Sequence, residues 1–152
     1  MKVLLINGSP HKNGCTFTAL SEIAKTLQEC GVDSEIFHIG AAPIRGCMGC
    51  GGCAGKGKCI YEDTVNTAIE KAAEADGFIF GSPVHYASAG GGITSFLDRM
   101  FYAGSKIWLP SSCSMPLCKG SKPAQYSIRE IFFIRLVSSC AILFASKVVE
   151  KL

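Results

Sequence analysis

The sequence predicts an α/β domain built on a doubly wound parallel sheet. Three observations predict it. Apolar runs alternate with segments of helical apolar spacing, in the order strand, helix, strand, helix, strand, helix. Two of the runs, Val3-Leu4-Leu5-Ile6 and Phe78-Ile79-Phe80, are apolar throughout, as parallel strands buried on both faces are. Each of these two runs is followed by a loop of glycine and small hydroxyl residues and then a helix. That places both loops at the carboxyl ends of strands, where ligands bind in this architecture.

Residues 2–7 read as the first strand. Residues 14–30 read as the first helix, with Phe17, Leu20, Ile23, Ala24 and Leu27 at helical spacing and Gly31 as its stop. Asp33 to Ile39 alternates as a second strand, and its modest apolar content places it at a sheet edge. Residues 40–60 form a loop rich in glycine and cysteine. Glu62, Asp63 and Thr64 open a second helix, with Val65, Ala68, Ile69 and Ala72 on one face and Asp76-Gly77 at its end. Residues 77–81 form the third strand, Ser82 to Gly92 a loop, and Ile93 to Tyr102 the third helix. From Trp108 to Lys122 there is no clear period, and Pro110 and Pro116 oppose regular structure. Ile131 to Val137 reads as a strand, and Ala141 to Leu152 as a closing strand or helix. A sheet of this kind has about five strands, so the tail must supply two. If it did not, an exposed sheet face would drive association.

The 152 residues suffice for one domain with a sizeable core, and 48% hydrophobic against 18% charged residues fits a globular interior. A net charge of +3, with scattered Lys and Arg, gives no nucleic-acid footprint. Ile131 to Ala145 is too short and interrupted for a membrane span, and Val3 to Ile6 is too short for the core of an export signal. Nine cysteines without such a signal point to thiol, metal or redox work in a reducing compartment, and the expectation is a cytoplasmic protein.

The loop Asn7-Gly8-Ser9-Pro10-His11-Lys12-Asn13-Gly14-Cys15-Thr16 reads as a phosphate cradle. Backbone N–H groups at a helix start point at an anion, and the helix dipole favours negative charge there. Ser9 and Thr16 add hydroxyl donors. The nucleoside-triphosphate loop has four residues between its glycines and then Lys. Here five residues separate Gly8 from Gly14, and Cys15 stands in the Lys position. The dinucleotide fingerprint is absent as well, which leaves a loop suited to a monoester phosphate.

On these residues the sequence resembles the flavodoxin-like NADPH-dependent FMN reductases and the iron-sulfur flavoproteins related to them. Their first loop typically runs Gly-Ser-Pro-Arg-x-x-Gly-Asn-Thr. This chain matches at Gly8, Ser9, Pro10, Gly14 and Thr16, with His11 in place of Arg and Cys15 in place of Asn. Their second loop reads Ser-Pro-x-Tyr-Tyr-Gly or similar, before a helix ending Phe-x-Asp-Arg. Here stand Ser82-Pro83-Val84-His85-Tyr86-Ala87 and Phe96-Leu97-Asp98-Arg99. The resemblance implies the strand order 2-1-3-4-5 and FMN as cofactor. It implies the FMN phosphate on Ser9, His11, Asn13, Gly14, Cys15 and Thr16, and the ring against Pro83, Val84, Tyr86, Ala87 and Ser88. NAD(P)H is the implied co-substrate, and a homo-oligomer the implied assembly. Asp98 and Arg99, at a helix end, read more readily as structural or interface ion pairs than as flavin contacts. The resemblance covers residues 1–107; residues 108–152 diverge, and the family's third flavin loop, Ser-x-Arg-x-Gly-Gly, is not found there.

Cys47, Cys50, Cys53 and Cys59 follow the spacing C-x2-C-x2-C-x5-C. Turns of two residues aim neighbouring thiolates at one centre, as in compact iron-sulfur sites. The iron-sulfur flavoproteins carry a similar motif in this loop, which makes a 4Fe-4S cluster one reading. Zinc and metal-free thiols that shape a pocket are the others. His38, just outside, reads as a strand-end residue.

The expected function is an FMN-dependent oxidoreductase passing electrons from NAD(P)H to a quinone, a metal ion or an iron-sulfur acceptor, with no side chain required as acid or base. The acceptor is a small molecule or a redox protein. The rivals are an electron carrier without its own substrate and a non-catalytic remnant. Nucleotide hydrolysis and acyl transfer are disfavoured, since neither the phosphate-loop Lys nor a Gly-x-Ser-x-Gly elbow is present.

Overall fold

A computed structural model of the chain describes residues 1–86, 88–108, 131–136 and 140–146. Residues 87, 109–130, 137–139 and 147–152 lie outside the described residues, and with them the aperiodic stretch after Trp108 and the end of the expected closing element. The elements are β1 (Lys2–Asn7), α1 (Cys15–Glu29), β2 (Asp33–His38), α2 (Thr64–Ala73), β3 (Gly77–His85), β4 (Ser88–Ala89), α3 (Gly91–Trp108), β5 (Ile131–Leu136) and β6 (Cys140–Ser146).

The parallel half of the sheet follows from the apolar runs. β1 lies between β2 and β3 and is parallel to both, with Leu5 level with Ile36 on one side and Ile79 on the other. β2 is an edge strand, as its mixed composition predicts, and none of its residues is fully buried. Side-chain alternation then sorts β1 and β3 between two layers. Leu4, Ile6, Phe78 and Phe80 pack with Val65 and Ile69 of α2 and with Phe96 and Met100 of α3. Val3, Leu5 and Ile79 pack with Leu20 of α1 on the opposite face. Each large apolar side chain withdrawn from water in this way contributes about 1.5–3 kcal/mol. Helices on both faces make the sheet doubly wound.

The expected α/β doubly wound sheet is present, and beyond β3 the tail gives it an antiparallel edge. The tail does supply two strands, but the order is β2-β1-β3-β6-β5, and both β3–β6 and β6–β5 are antiparallel. The reason lies in the connection. Only three residues separate Leu136 from Cys140, enough for a hairpin, whereas a parallel crossover takes about a dozen or more. The second loop is corrected too. β3 runs on to His85 and pairs back with β4, so Val84 faces Ala89 and His85 faces Ser88 in a short hairpin.

A charged trio ties β2 and its neighbour β1 to α2. Glu35 of β2 lies 2.5 Å from Lys71 of α2 and 3.6 Å from Lys2 of β1. The hydrogen bond from Lys71 holds the Glu35 carboxyl below its usual range; burial opposes this, and the charges of Lys71 and Lys2 reinforce it. A carboxylate with a depressed native pKa stabilises the fold above its unfolded value of about 4.3 and loses that contribution as pH falls through the native value. Glu35→Gln should therefore lower stability at pH 7 by less than about 1 kcal/mol, since the pair is partly exposed. Urea melts of the pair at pH 7 and at successively lower pH check this: the difference should be present at pH 7 and should shrink as the pH falls below the unfolded value.

Candidate functional site

The carboxyl ends of β1, β2 and β3 share one edge of the sheet, and the strand order changes direction between β1 and β3. A crevice at such a switch point is the ligand site of open α/β sheets. The two loops expected to share a ligand begin in contact there. Gly8 N–H donates to the Gly81 carbonyl at 2.7 Å. Neither glycine has room for a side chain. A Cβ on Gly8 would lie 2.7 Å from Ile93 Cβ and 2.9 Å from the Gly81 oxygen; one on Gly81 would lie 2.8 Å from Thr16 Cγ2.

The protein fixes the first part of the β1–α1 loop with its own groups. Asn7 is fully buried; its Oδ1 accepts from Ser9 N–H at 3.0 Å and its Nδ2 donates to the Lys12 carbonyl at 3.4 Å. Ser9 Oγ accepts from His11 N–H at 3.2 Å, which leaves its O–H free to donate. From β2, His38 Nε2 donates to the Ser9 carbonyl at 2.8 Å; an oxygen that can only accept fixes the proton on that nitrogen. His38 thus does more than end a strand. The second part of the loop is different. Gly14, the N-cap of α1, gives no side-chain cap. Among the described residues, the N–H groups of Asn13, Gly14 and Cys15 donate to no protein acceptor. Ser9 and Thr16 are buried, while His11, Asn13 and Cys15 are exposed around them. A pinned corner that leads into an uncapped helix start suits a phosphate.

The hairpin that follows β3 stands beside this corner. Gly90 N–H donates to the Pro83 carbonyl at 3.2 Å and to Ser82 Oγ at 3.1 Å, which closes the hairpin at its base. Pro83 is half-buried, Val84 and Ser88 are exposed, and Tyr86 is wholly exposed at the tip with a φ of 48°. That left-handed conformation is uncommon for a residue with a Cβ and turns the Tyr86 ring outward. Ala87 lies outside the described residues.

The cysteine loop leaves β2 on the same sheet edge and folds against α3. One hollow is lined by Cys47, Cys50, Cys53 and Cys59 together with Tyr61, Arg99 and Tyr102, and no residue of the phosphate loop or the hairpin lines it. Gly49, Gly51, Gly55 and Gly57 all have positive φ, the conformation the tight path needs and glycine supplies. Burial pushes the Cys53 thiol up; a backbone hydrogen bond opposes this, and Cys59, Cys47 and Cys50 add to the rise. Four soft sulfur donors around one hollow are the donor set of an iron-sulfur cluster. Even so, among the described residues no three His, Cys, Asp or Glu side chains are gathered closely enough to hold a metal ion. The donors fit in kind, and a cluster would have to draw them together.

Sequence reading missed what holds this loop. Asn66 of α2 accepts from Cys59 N–H at 2.8 Å and donates to the carbonyls of Cys59 and Tyr61, both at 3.0 Å. Arg99, 1% exposed, pairs with Asp63 at 2.5 and 3.0 Å. Burial alone would lower the guanidinium's pKa; the bonds to Asp63 and then Cys59 outweigh it and raise it. The Phe-x-Asp-Arg helix end and the acid before Thr64 were the available signals, although neither names the other as its partner.

The family model described as NADPH-dependent FMN reductase matches residues 1–135. An iron-sulfur flavoprotein of Archaeoglobus fulgidus is 36% identical over 99 residues, which cover 65% of this chain and 48% of that protein. One from Methanocaldococcus jannaschii is 34% identical over 99 residues, covering 65% and 51%. An FMN-dependent NADPH-azoreductase of Staphylococcus saprophyticus is 36% identical over 101 residues, covering 66% and 52%. The chain spans about half the length of the curated relatives it matches. No solved structure matches it. Among the described residues, no helix is long and apolar enough to cross a membrane.

Proposed function

This chain belongs to the NADPH-dependent FMN reductase family, and we propose that it is a flavin-dependent oxidoreductase taking electrons from NAD(P)H and passing them to a small-molecule or redox-protein acceptor. The observation that carries this reading is the contact between the two ligand loops at Gly8 and Gly81, beside N–H groups of Asn13, Gly14 and Cys15 that no protein acceptor uses. FMN, when bound, supplies the electron-transfer chemistry itself. The chain's residues bind and orient. Ser9 O–H and the N–H groups of residues 13–15 would hold the phosphate. The hairpin from Pro83 to Ser88 would flank the ring and control access, with Tyr86 at its rim. No side chain is needed as an acid or a base.

Cys47, Cys50, Cys53 and Cys59 would hold a 4Fe-4S cluster, a reading supported by their shared hollow and by the relatives named iron-sulfur flavoproteins. The same observation favours a second reading, an electron carrier with no substrate of its own. We expect the protein to act as a homo-oligomer.

The test is one anaerobic spectrum of the purified protein reconstituted with FMN, taken before and after NADPH. Loss of the yellow absorbance supports the enzyme. Bound flavin that NADPH leaves yellow, but a partner reductase bleaches, supports the carrier. A colourless protein that takes up no FMN contradicts both.

A further inference from the structure

Ser9 sits at the turn of the phosphate corner, and the chain holds its backbone from two sides. β1 and β2 run level at their carboxyl ends, with Asn7 opposite His38 and Ile39 N–H donating to the Asn7 carbonyl at 3.1 Å. From β1, Asn7 Oδ1 accepts from Ser9 N–H at 3.0 Å. From β2, His38 Nε2 donates to the Ser9 carbonyl at 2.8 Å, from 29 positions away in sequence. Pro10 follows, so the peptide after Ser9 has no N–H and that carbonyl is its one hydrogen-bonding group. Among the described residues, nothing else donates to this oxygen. Ser9 Oγ accepts from His11 N–H at 3.2 Å. With these bonds made, the hydroxyl proton is what Ser9, 5% exposed, has left to donate.

We propose that His38 is a positioning residue for phosphate recognition: its Nε2–H holds the Ser9 carbonyl toward β2, so that the corner offers an anion the Ser9 hydroxyl and the N–H groups of residues 13–15 and not the Ser9 carbonyl. The inference rests on the flavin reading above and adds a residue that reading does not use. The reason is electrostatic. A carbonyl oxygen carries partial negative charge and repels a phosphate, and beside a buried residue water screens that repulsion weakly. A donor on the oxygen offsets its charge and fixes its direction together. Asn7 Nδ2 does the same for the Lys12 carbonyl at 3.4 Å, so two of the corner's carbonyls are bound to side-chain donors.

The experiment titrates the full chain with FMN and, separately, with riboflavin, for the parent, His38→Gln and His38→Leu. Gln carries an amide N–H at a reach similar to that of His Nε2, whereas Leu has no donor. His38→Leu should bind FMN about three- to tenfold more weakly, the worth of one net hydrogen bond, with riboflavin affinity unchanged. His38→Gln should keep most of the parent's preference for FMN. A merely structural role would weaken both ligands alike or neither, so the ratio of the two affinities is the readout. Ring nitrogen-15 spectra of the flavin-free parent at about pH 8.5, where imidazole is neutral, give a check that needs no ligand. The His38 signal, assigned by its absence from the Gln variant, should show the proton on Nε2. A folded His38→Leu protein with the parent's ratio, a Gln variant no better than the Leu variant, or a His38 ring protonated on Nδ1 would each overturn the role of His38 and leave the flavin reading standing. A parent that binds riboflavin as tightly as FMN would overturn the phosphate reading and this inference with it.

Discussion

Gly8→Ala should destabilise the protein by about 1–3 kcal/mol or more and abolish FMN binding. The added methyl would sit 2.7 Å from Ile93 Cβ, 2.8 Å from Ile93 Cγ1 and 2.9 Å from the Gly81 carbonyl oxygen. A long side chain could swing away, but Ile93 is β-branched, 1% exposed and packed in the core, so it has little freedom to move. The carbonyl is backbone, and it accepts the Gly8 N–H at 2.7 Å. Relief requires the carboxyl ends of β1 and β3 to part, and the two ligand loops are built on those ends. Stability and cofactor affinity should therefore fall together. Gly92→Ala is the control, since its methyl would meet nothing within 4 Å. Urea melts and FMN titration of both variants check the pair; a Gly8→Ala protein that melts and binds like the parent would show that the loops do not meet as described.

Asp63→Ala should cost about 3 kcal/mol, the lower end of the range for breaking a buried ion pair, because Asp63 itself keeps 36% of its side chain exposed. The loss has two parts. Arg99 stays buried with two of its five acceptors gone. The Val65 N–H, 3.1 Å from Asp63 Oδ1, loses its cap, and a cap alone is worth about 0.5–2 kcal/mol. Asp63→Asn separates the parts: it retains the cap and loses the charge, so it should fall between the parent and the Ala variant. An Ala variant no less stable than the Asn variant would show that the cap contributes nothing.

The parts of the fold legible in sequence were those set by local pattern. Val3 to Ile6 and Phe78 to Phe80 identify central strands because burial on both faces leaves no polar position. Residues 33–38 identify an edge for the opposite reason. What tertiary pairing decides was not legible. Pro83 reads as a loop residue, yet it lies in β3 level with Cys140 of β6, and the reversal of the last two strands depends on a three-residue connection whose partners are remote in sequence. In the site, the Gly-Ser-Pro corner was legible because its chemistry is backbone chemistry carried by glycine and small residues. The four cysteines line one hollow, but spacing does not give sulfur-to-sulfur distance, and among the described residues no three of these side chains are gathered closely enough to hold a metal ion. The Arg99 clamp was hidden because Asp63 lies 36 residues away and because the expected helix end at Tyr102 gave way to a helix running on to Trp108, which places Arg99 in its middle.

The proposed flavin chemistry depends on the corner after β1 holding a terminal phosphate. Titrating the protein with FMN and, separately, with riboflavin tests it most directly, because the two ligands differ only by that phosphate. With two charge-assisted hydrogen bonds from residues 13–15, each worth roughly 1.5–3 kcal/mol, FMN should bind about a hundredfold or more tightly than riboflavin. Equal affinity for the two, or no affinity for FMN, would contradict the account.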